Sequence, residues 1–293
     1  MGYLFAFSAV LCGITKGYCG KKISFSASLP IQAAFYNFIR MLICIVIGFL
    51  FVIAENGNLA VSGTMLLICV FSGIATATFA ISWLMAARQS AYMLVDIACT
   101  LGVVIPLLFS NIFYKEALNF ADIVGLLLLF LAAAVISSYS SKLKHRLSLR
   151  EFATLMIVCI SYGCISLSQK VFTYQVENAS PVVFNFYTYV FASVILAGYL
   201  LCFQSKSKIA VKQTPRHHYL LIVIMAVCLF GNSLFNTLAA KYLSAAQLYP
   251  LCQGSALILS SLMAAAFFGE KLNMRLILGI ILCFSGLLIM HFL

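Results

Sequence analysis

Charge is scarce in this chain: Asp, Glu, Lys and Arg make up 9% of its 293 residues, against roughly a quarter in a soluble domain. Acid is scarcer still, with 7 Asp and Glu against 18 Lys and Arg. No polar stretch is long enough to fold as a water-soluble domain, so whatever the chain does takes place in or at a membrane. The net charge of +11 does not imply a nucleic-acid partner, because no folded surface is available to display a basic patch. Eleven cysteines are present, but no CxxC pair and no His/Cys cluster at zinc-ligand spacing, which excludes a redox motif or a zinc site. Scattered through apolar runs, they read as small packing residues. The four histidines (His145, His217, His218 and His291) lie in basic loops or at the terminus with no acidic set beside them. A lipid-modifying membrane enzyme would need such a set, so no enzymatic activity, cofactor or metal is expected. The first apolar run lacks a basic leader and a cleavage signature, and is expected to be a retained helix.

What the chain has in abundance is apolar sequence: 64% hydrophobic residues and a mean hydropathy of +1.09. A spanning helix needs about 20 mostly apolar residues. Ten such runs can be drawn, at 2–20, 31–54, 63–86, 90–112, 120–140, 152–174, 181–203, 219–240, 245–268 and 274–292. Pro30 and Pro181 each stand at the start of a run, where a missing N–H costs little. The expected fold is therefore all-α integral membrane, with ten transmembrane helices. The odd-numbered connections carry thirteen Lys and Arg, from Lys21 and Lys22 to Arg275, and the even-numbered ones only Lys115 and Lys241. By the positive-inside rule this bias places both termini outside.

The chain repeats itself. E-A-L-N-F-A-D-I-V-G from Glu116 recurs as E-K-L-N-M-R-L-I-L-G from Glu270, an offset of 154 residues that also superposes Lys16 on Lys170. Phe35-Tyr36-Asn37-Phe38 aligns more weakly with Val183-Phe184-Asn185-Phe186. Residues 1–140 and 152–293 are read as two five-helix units joined by a basic linker at 141–151. A unit of five spans is odd, so its second copy enters the membrane from the opposite side. Inverted repeats of this kind mark secondary transporters, whose sites sit near the midplane between the halves.

The motifs at these repeats resemble the drug/metabolite transporter superfamily, in its EamA-type branch. The resemblance is carried by F-Y-K-E-A-L-N (Phe113–Asn119) with Gly125, by F-F-G-E-K-L-N (Phe267–Asn273) with Gly279 and Gly286, and by L-Y-P-L-C-Q-G-S-A-L (Leu248–Leu257). It covers essentially the whole chain. It implies the ten-helix inverted-repeat fold and leaves the substrate open, because the superfamily carries amino acids, sugars, nucleotide sugars, phosphorylated metabolites and drugs. Members usually keep both termini in the cytoplasm, which is at odds with the charge bias here. The absence of long tails is compatible with a bacterial inner membrane.

A charge at the bilayer centre costs about 2.5–3.5 kcal/mol on insertion scales and needs a reason. Asp96 suits a proton- or cation-coupling carboxylate, or equally a helix-end acid that reaches water or pairs with Arg40 or Lys16. Lys16 and Lys170 suit either a pseudo-symmetric pair that attracts an anion or, by preference, two lysines that snorkel to headgroups. Arg40, some ten residues into its run, is expected to line the cavity or pair with Asp96. Tyr36, Asn37, Asn185, Asn232, Asn236, Tyr249 and Gln253 suit either a site that hydrogen-bonds substrate or bonds between helices. Glu116 and Glu270 are read as structural acids at helix starts, and Gly125, Ala132, Gly279 and Gly286 as close-packing seams. The expected function is a secondary transporter of a small polar or amphipathic metabolite, such as an amino acid or organic anion, working by alternating access. Excess intramembrane cation tilts the substrate toward an anion or zwitterion. The alternative is a membrane receptor or assembly partner of the same fold.

Overall fold

In a computed structural model of the chain, which describes residues 1–27, 29–55, 58–90, 92–116, 119–140, 148–176, 179–203, 216–269 and 274–292, the apolar runs are helices. In order they are α1 (Gly2–Ser24), α2 (Pro30–Ala54), α3 (Gly63–Gln89), α4 (Tyr92–Gly102), α5 (Val104–Tyr114), α6 (Phe120–Ser140), α7 (Leu149–Gln175), α8 (Pro181–Cys202), α9 (Arg216–Ala240), α10 (Ala245–Phe268) and α11 (Met274–Phe292). No strand occurs among the described residues. The Glu270–Asn273 motif, most of the linker and the basic residues Lys206, Lys208 and Lys212 lie outside them.

One of the ten expected spans is not a continuous helix. The run at 90–112 breaks at Val103 into α4 and α5. Pro106 has no N–H for the carbonyl of Gly102 and its ring crowds that carbonyl. The backbone tightens instead, with Val103 N–H bonding to Thr100 O at 3.3 Å before the ladder resumes from Leu107 N–H to Val103 O at 3.2 Å. Counted with this break, the helices make ten spans. Among the described residues, seven stretches are long and apolar enough to cross a membrane by length and composition: α2, α3, Leu94–Tyr114, α7, α8, His218–Ala240 and α10.

Helix starts carry the caps their sequence announces. Ser62, Ser148, Ser180 and Ser244 each accept a backbone N–H from the first turn, and Glu151 closes a capping box by accepting from Ser148 N–H at 2.9 Å. Two helix ends share a rarer device. Lys115 after α5 and Gly269 after α10 both adopt left-handed backbone, at φ 53° and 67°. They stand 154 residues apart, each just before the glutamate of the repeated motif. Glycine takes that conformation freely, whereas lysine does so at a cost of roughly 1–2 kcal/mol.

Lipid offers helices no hydrophobic drive to associate, so small residues that admit close backbones do that work. A Cβ on Gly163 of α7 would stand 2.5 Å from the carbonyl oxygen of Gly102 in α4. One on Gly286 of α11 would stand 2.9 Å from that of Gly125 in α6. Ala132 and Gly279 are buried on the same two helices. Outward faces are apolar: Leu42, Val46, Phe49, Leu50 and Ile53 form an exposed stripe at helical spacing along α2.

The pairing of helices has an order. Taking α4–α5 as one span, the first span packs on the eighth and the sixth on the third; the fourth packs on the sixth and the ninth on the first; the third packs on the seventh and the eighth on the second. Spans two and seven, five and ten, and four and nine pack on each other. Adding five to every span number maps this set of pairings onto itself. Chain direction alternates: Lys21 Nζ at the end of α1 bonds Ser90 O after α3 at 3.1 Å, and Ser26 Oγ contacts His218 Nε2 near the start of α9 at 3.4 Å. At the other face Ser180 Oγ donates to Glu55 at 3.1 Å and Tyr187 OH to Leu59 O at 2.9 Å.

Candidate functional site

The polar residues of the helices are not gathered in one place. A cavity of about 80 Å³ lies between α1, α3, α4, α7, α9 and α10 and is lined by Lys16, Asp96, Asn232, Asn236 and Gln253, with Phe79, Trp83, Tyr92 and Tyr162 among its walls. A water occupies roughly 10–15 Å³ on this measure, so the space admits several atoms of a small ligand. Lys16 Nζ reaches Asn232 Oδ1 at 3.4 Å, and Asn232 is itself held by donating to Ala9 O at 2.7 Å. Gln253 donates to the Tyr162 hydroxyl. Asn236 Oδ1 accepts from Cys252 Sγ at 3.5 Å.

Arg40 stands apart from this set. It is 5% exposed and borders a smaller space of about 20 Å³ with Lys16, Phe79, Ala80, Trp83, Met225 and Leu229. Asp96 does not line that space, and no carboxylate of the described residues pairs with Arg40, so the expected Arg40–Asp96 pair is not formed. Lys16 borders both spaces and connects them.

Four of the polar candidates contact other helices instead of lining the cavity, three of them by hydrogen bonds. Asn37 donates to Ala33 O and, across to α3, to Ala80 O, both at 2.8 Å. Asn185 donates to Pro181 O at 2.9 Å and accepts from Ser233 of α9. Tyr249 OH donates to Ser166 O of α7 at 2.7 Å. Tyr36 packs edge-on against the His218 ring, 6.2 Å between centroids.

Lys170 does not snorkel. It is buried, 3% exposed at its side chain, and its Nζ lies 2.9 Å from the Glu116 carboxylate. It also donates to Leu243 O at 2.9 Å and to Ala240 O at 3.5 Å at the end of α9. A lysine this near the end of its helix can reach headgroups only if nothing nearer satisfies it, and here a carboxylate and two orphan carbonyls do. Glu116 is tied in turn by the Tyr174 hydroxyl and by Ala245 N–H at 2.7 Å, the first turn of α10. It therefore sits at a positive helix end, though that of α10 and not of α6, whose start is closed by Asp122 accepting from Asn119 N–H at 2.9 Å. Burial pushes the Glu116 carboxyl up, but the bonds from Tyr174, Ala245 and Lys170 outweigh it and hold the group below the usual carboxylate range. Glu116, Lys170, Tyr174 and Lys241 line an open vestibule of about 590 Å³ at the face with few basic residues.

Sequence reasoning missed the aromatic walls, Phe79, Trp83, Tyr92 and Tyr162. Trp83 is the one tryptophan of the chain, which was a usable signal; the other three are hidden among many aromatics of the same type.

Comparison with known proteins fits this architecture. Residues 150–292 match the EamA-like transporter family. The match takes in just under half of the chain, its C-terminal part, which is similar to that family. The family is one of membrane transporters of the drug/metabolite type, and with its run of apolar helices the chain is an integral membrane protein. A solved crystal structure of a protein 14% identical in sequence superposes with a TM-score of 0.72, over 98% of this chain and 95% of that one. At this identity the likeness shows a shared fold. No curated protein matches the sequence.

Proposed function

We propose that this EamA-like protein is a secondary transporter that moves a small polar or amphipathic metabolite by alternating access. Its two five-helix units, residues 1–140 and 152–293, are read as inverted repeats joined by the basic linker at 141–151. The family match at 150–292 and the pairing of helices under a shift of five spans support that division. The observation that carries the function is that Lys16 and Asp96, opposite charges on α1 and α4, face one cavity. Charges placed there are costly and mark substrate or ion pathways. In this reading Asn232, Asn236 and Gln253 orient the substrate, the aromatic walls cover its apolar part, and Asp96 takes up the coupling proton. Orientation with both termini outside follows from the basic helix ends collected on one face.

The test is flux into proteoliposomes of labelled amino acids and organic anions, with and without an imposed pH gradient. Asp96→Asn and Lys16→Gln are each expected to reduce flux roughly tenfold or more, the worth of a charged hydrogen bond, with the protein still folded. Full flux in both variants would move the site elsewhere. No flux of any compound in the wild type would sink the transport reading.

A further inference from the structure

Arg40 is a buried guanidinium that pairs with no carboxylate among the described residues. It lies ten residues past Pro30 in the 25-residue α2, is 5% exposed, and its Nε has no hydrogen-bond partner among the described residues. The other groups around its small space are Lys16, a second cation, the Trp83 indole, and the apolar Phe79, Ala80, Met225 and Leu229. An unpaired charge in such surroundings is strongly unfavourable, and a like charge beside it adds to the cost. Elsewhere the chain avoids this: Lys170, as deeply buried, has Glu116 and two carbonyls. The acids of the described residues near helix ends, Glu55, Glu116, Asp122 and Glu151, are engaged in bonds there, and Asp96 faces the neighbouring cavity beyond Lys16.

We infer that the space between Arg40 and Lys16 is an anion subsite that receives the carboxylate of the transported metabolite. The inference rests on the transport reading and narrows its substrate to a small carboxylic acid or amino acid. Volume sets the size of the anionic group. About 20 Å³ holds one or two atoms the size of water, which favours the two oxygens of a flat carboxylate over the bulkier tetrahedral phosphate. Lys16 borders this space and the larger cavity alike, so a carboxylate held by Arg40 and Lys16 directs the rest of the molecule toward Trp83, Tyr162 and Gln253. A free halide would satisfy the same two cations, and the experiment separates the two sources.

The experiment is thermal unfolding of the full chain in detergent, titrated with sodium acetate, sodium chloride or sodium phosphate. Ionic strength is held constant with sodium 2-(N-morpholino)ethanesulfonate, whose bulky anion does not fit. Acetate is expected to raise the Tm saturably, as any ligand of the folded state does, and phosphate is not. Arg40→Gln should weaken the acetate midpoint by about tenfold or more, and Arg40→Lys, which keeps the charge, should retain a weaker saturable response. If Arg40→Gln does not fold, Arg40→Lys and Lys16→Gln make the same comparison. Response to chloride and not acetate would overturn the carboxylate assignment. Flat titrations, or an acetate response untouched by these substitutions, would overturn the anion subsite. These results concern binding alone, and the transport reading is decided separately by vesicle flux.

Discussion

Glu116 and Lys170 show how much a single contact can carry where water is excluded. The pair ties the end of α5 to α7 and to the α9–α10 turn, with the two side chains 14% and 3% exposed. Removing one partner strands the other, so Lys170→Met is expected to cost about 3 kcal/mol. Lys170→Met combined with Glu116→Gln should be less harmful than the sum of the two, because the stranded charge is gone. Thermal unfolding of the four proteins measures this, and strict additivity would show that the pair is not coupled. The pH dependence has a definite sign. Glu116 is held below its ordinary range in the folded protein, so its contribution is complete above the unfolded carboxylate pKa of about 4.3. It is lost as pH falls through the lower folded value. The Tm gap between wild type and Glu116→Gln should therefore be widest near neutrality and close on acidification below about pH 4. A gap that widens in acid would contradict the assignment. The sequence marked Glu116 as structural through its place at a helix start, but its partner Lys170 stands 54 residues away on another helix, and only packing brings them together.

Among the helices, glycine distinguishes seams from lipid-facing surface. Gly163 and Gly102 let the backbones of α7 and α4 touch, whereas nothing lies within 4 Å of a Cβ built on Gly198 of α8. Gly163→Ala is expected to destabilise by about 1–3 kcal/mol through overpacking. Gly198→Ala should stabilise by up to about 1 kcal/mol, because alanine is the better helix former. The contrast in Tm between these two variants is the check, and equal shifts would mean that the seam is not tight. The Gly125 and Gly286 seam was legible in the sequence, since small residues recur there at a seven-residue spacing. The Gly102–Gly163 crossing was not, because neither of its members sits in a repeated motif. The break at Val103 had its signal in Pro106. A run read only for length and hydropathy passes over it.

For the whole molecule, orientation is the open quantity that charge decides. The end of α8 lies at the face that gathers the basic helix ends, and Cys202 there is exposed, while each other cysteine is buried or half-buried. With positive ends inside, a membrane-impermeant maleimide should label Cys202 in inside-out vesicles and spare it in right-side-out ones. Cys202→Ala provides the control, and labelling with the opposite sidedness would place both termini in the cytoplasm. What the sequence determined by itself is the solvent and the architecture's outline. Hydropathy names the bilayer, run length sets the spans, serine and proline mark helix starts, and one motif recurs 154 residues along the chain. All of these are local or periodic properties, written in neighbouring residues. Tertiary structure alone decided which polar groups meet. Lys16 and Lys170 stand at the same 154-residue offset as the repeated motif, yet one faces a cavity with Asp96 and the other is locked to Glu116. Asn37, Asn185 and Tyr249 bond other helices, while Asn232 and Gln253 line the cavity. In lipid a polar side chain takes whatever partner the crossing helix offers, and the identity of that helix is a property of the packed whole.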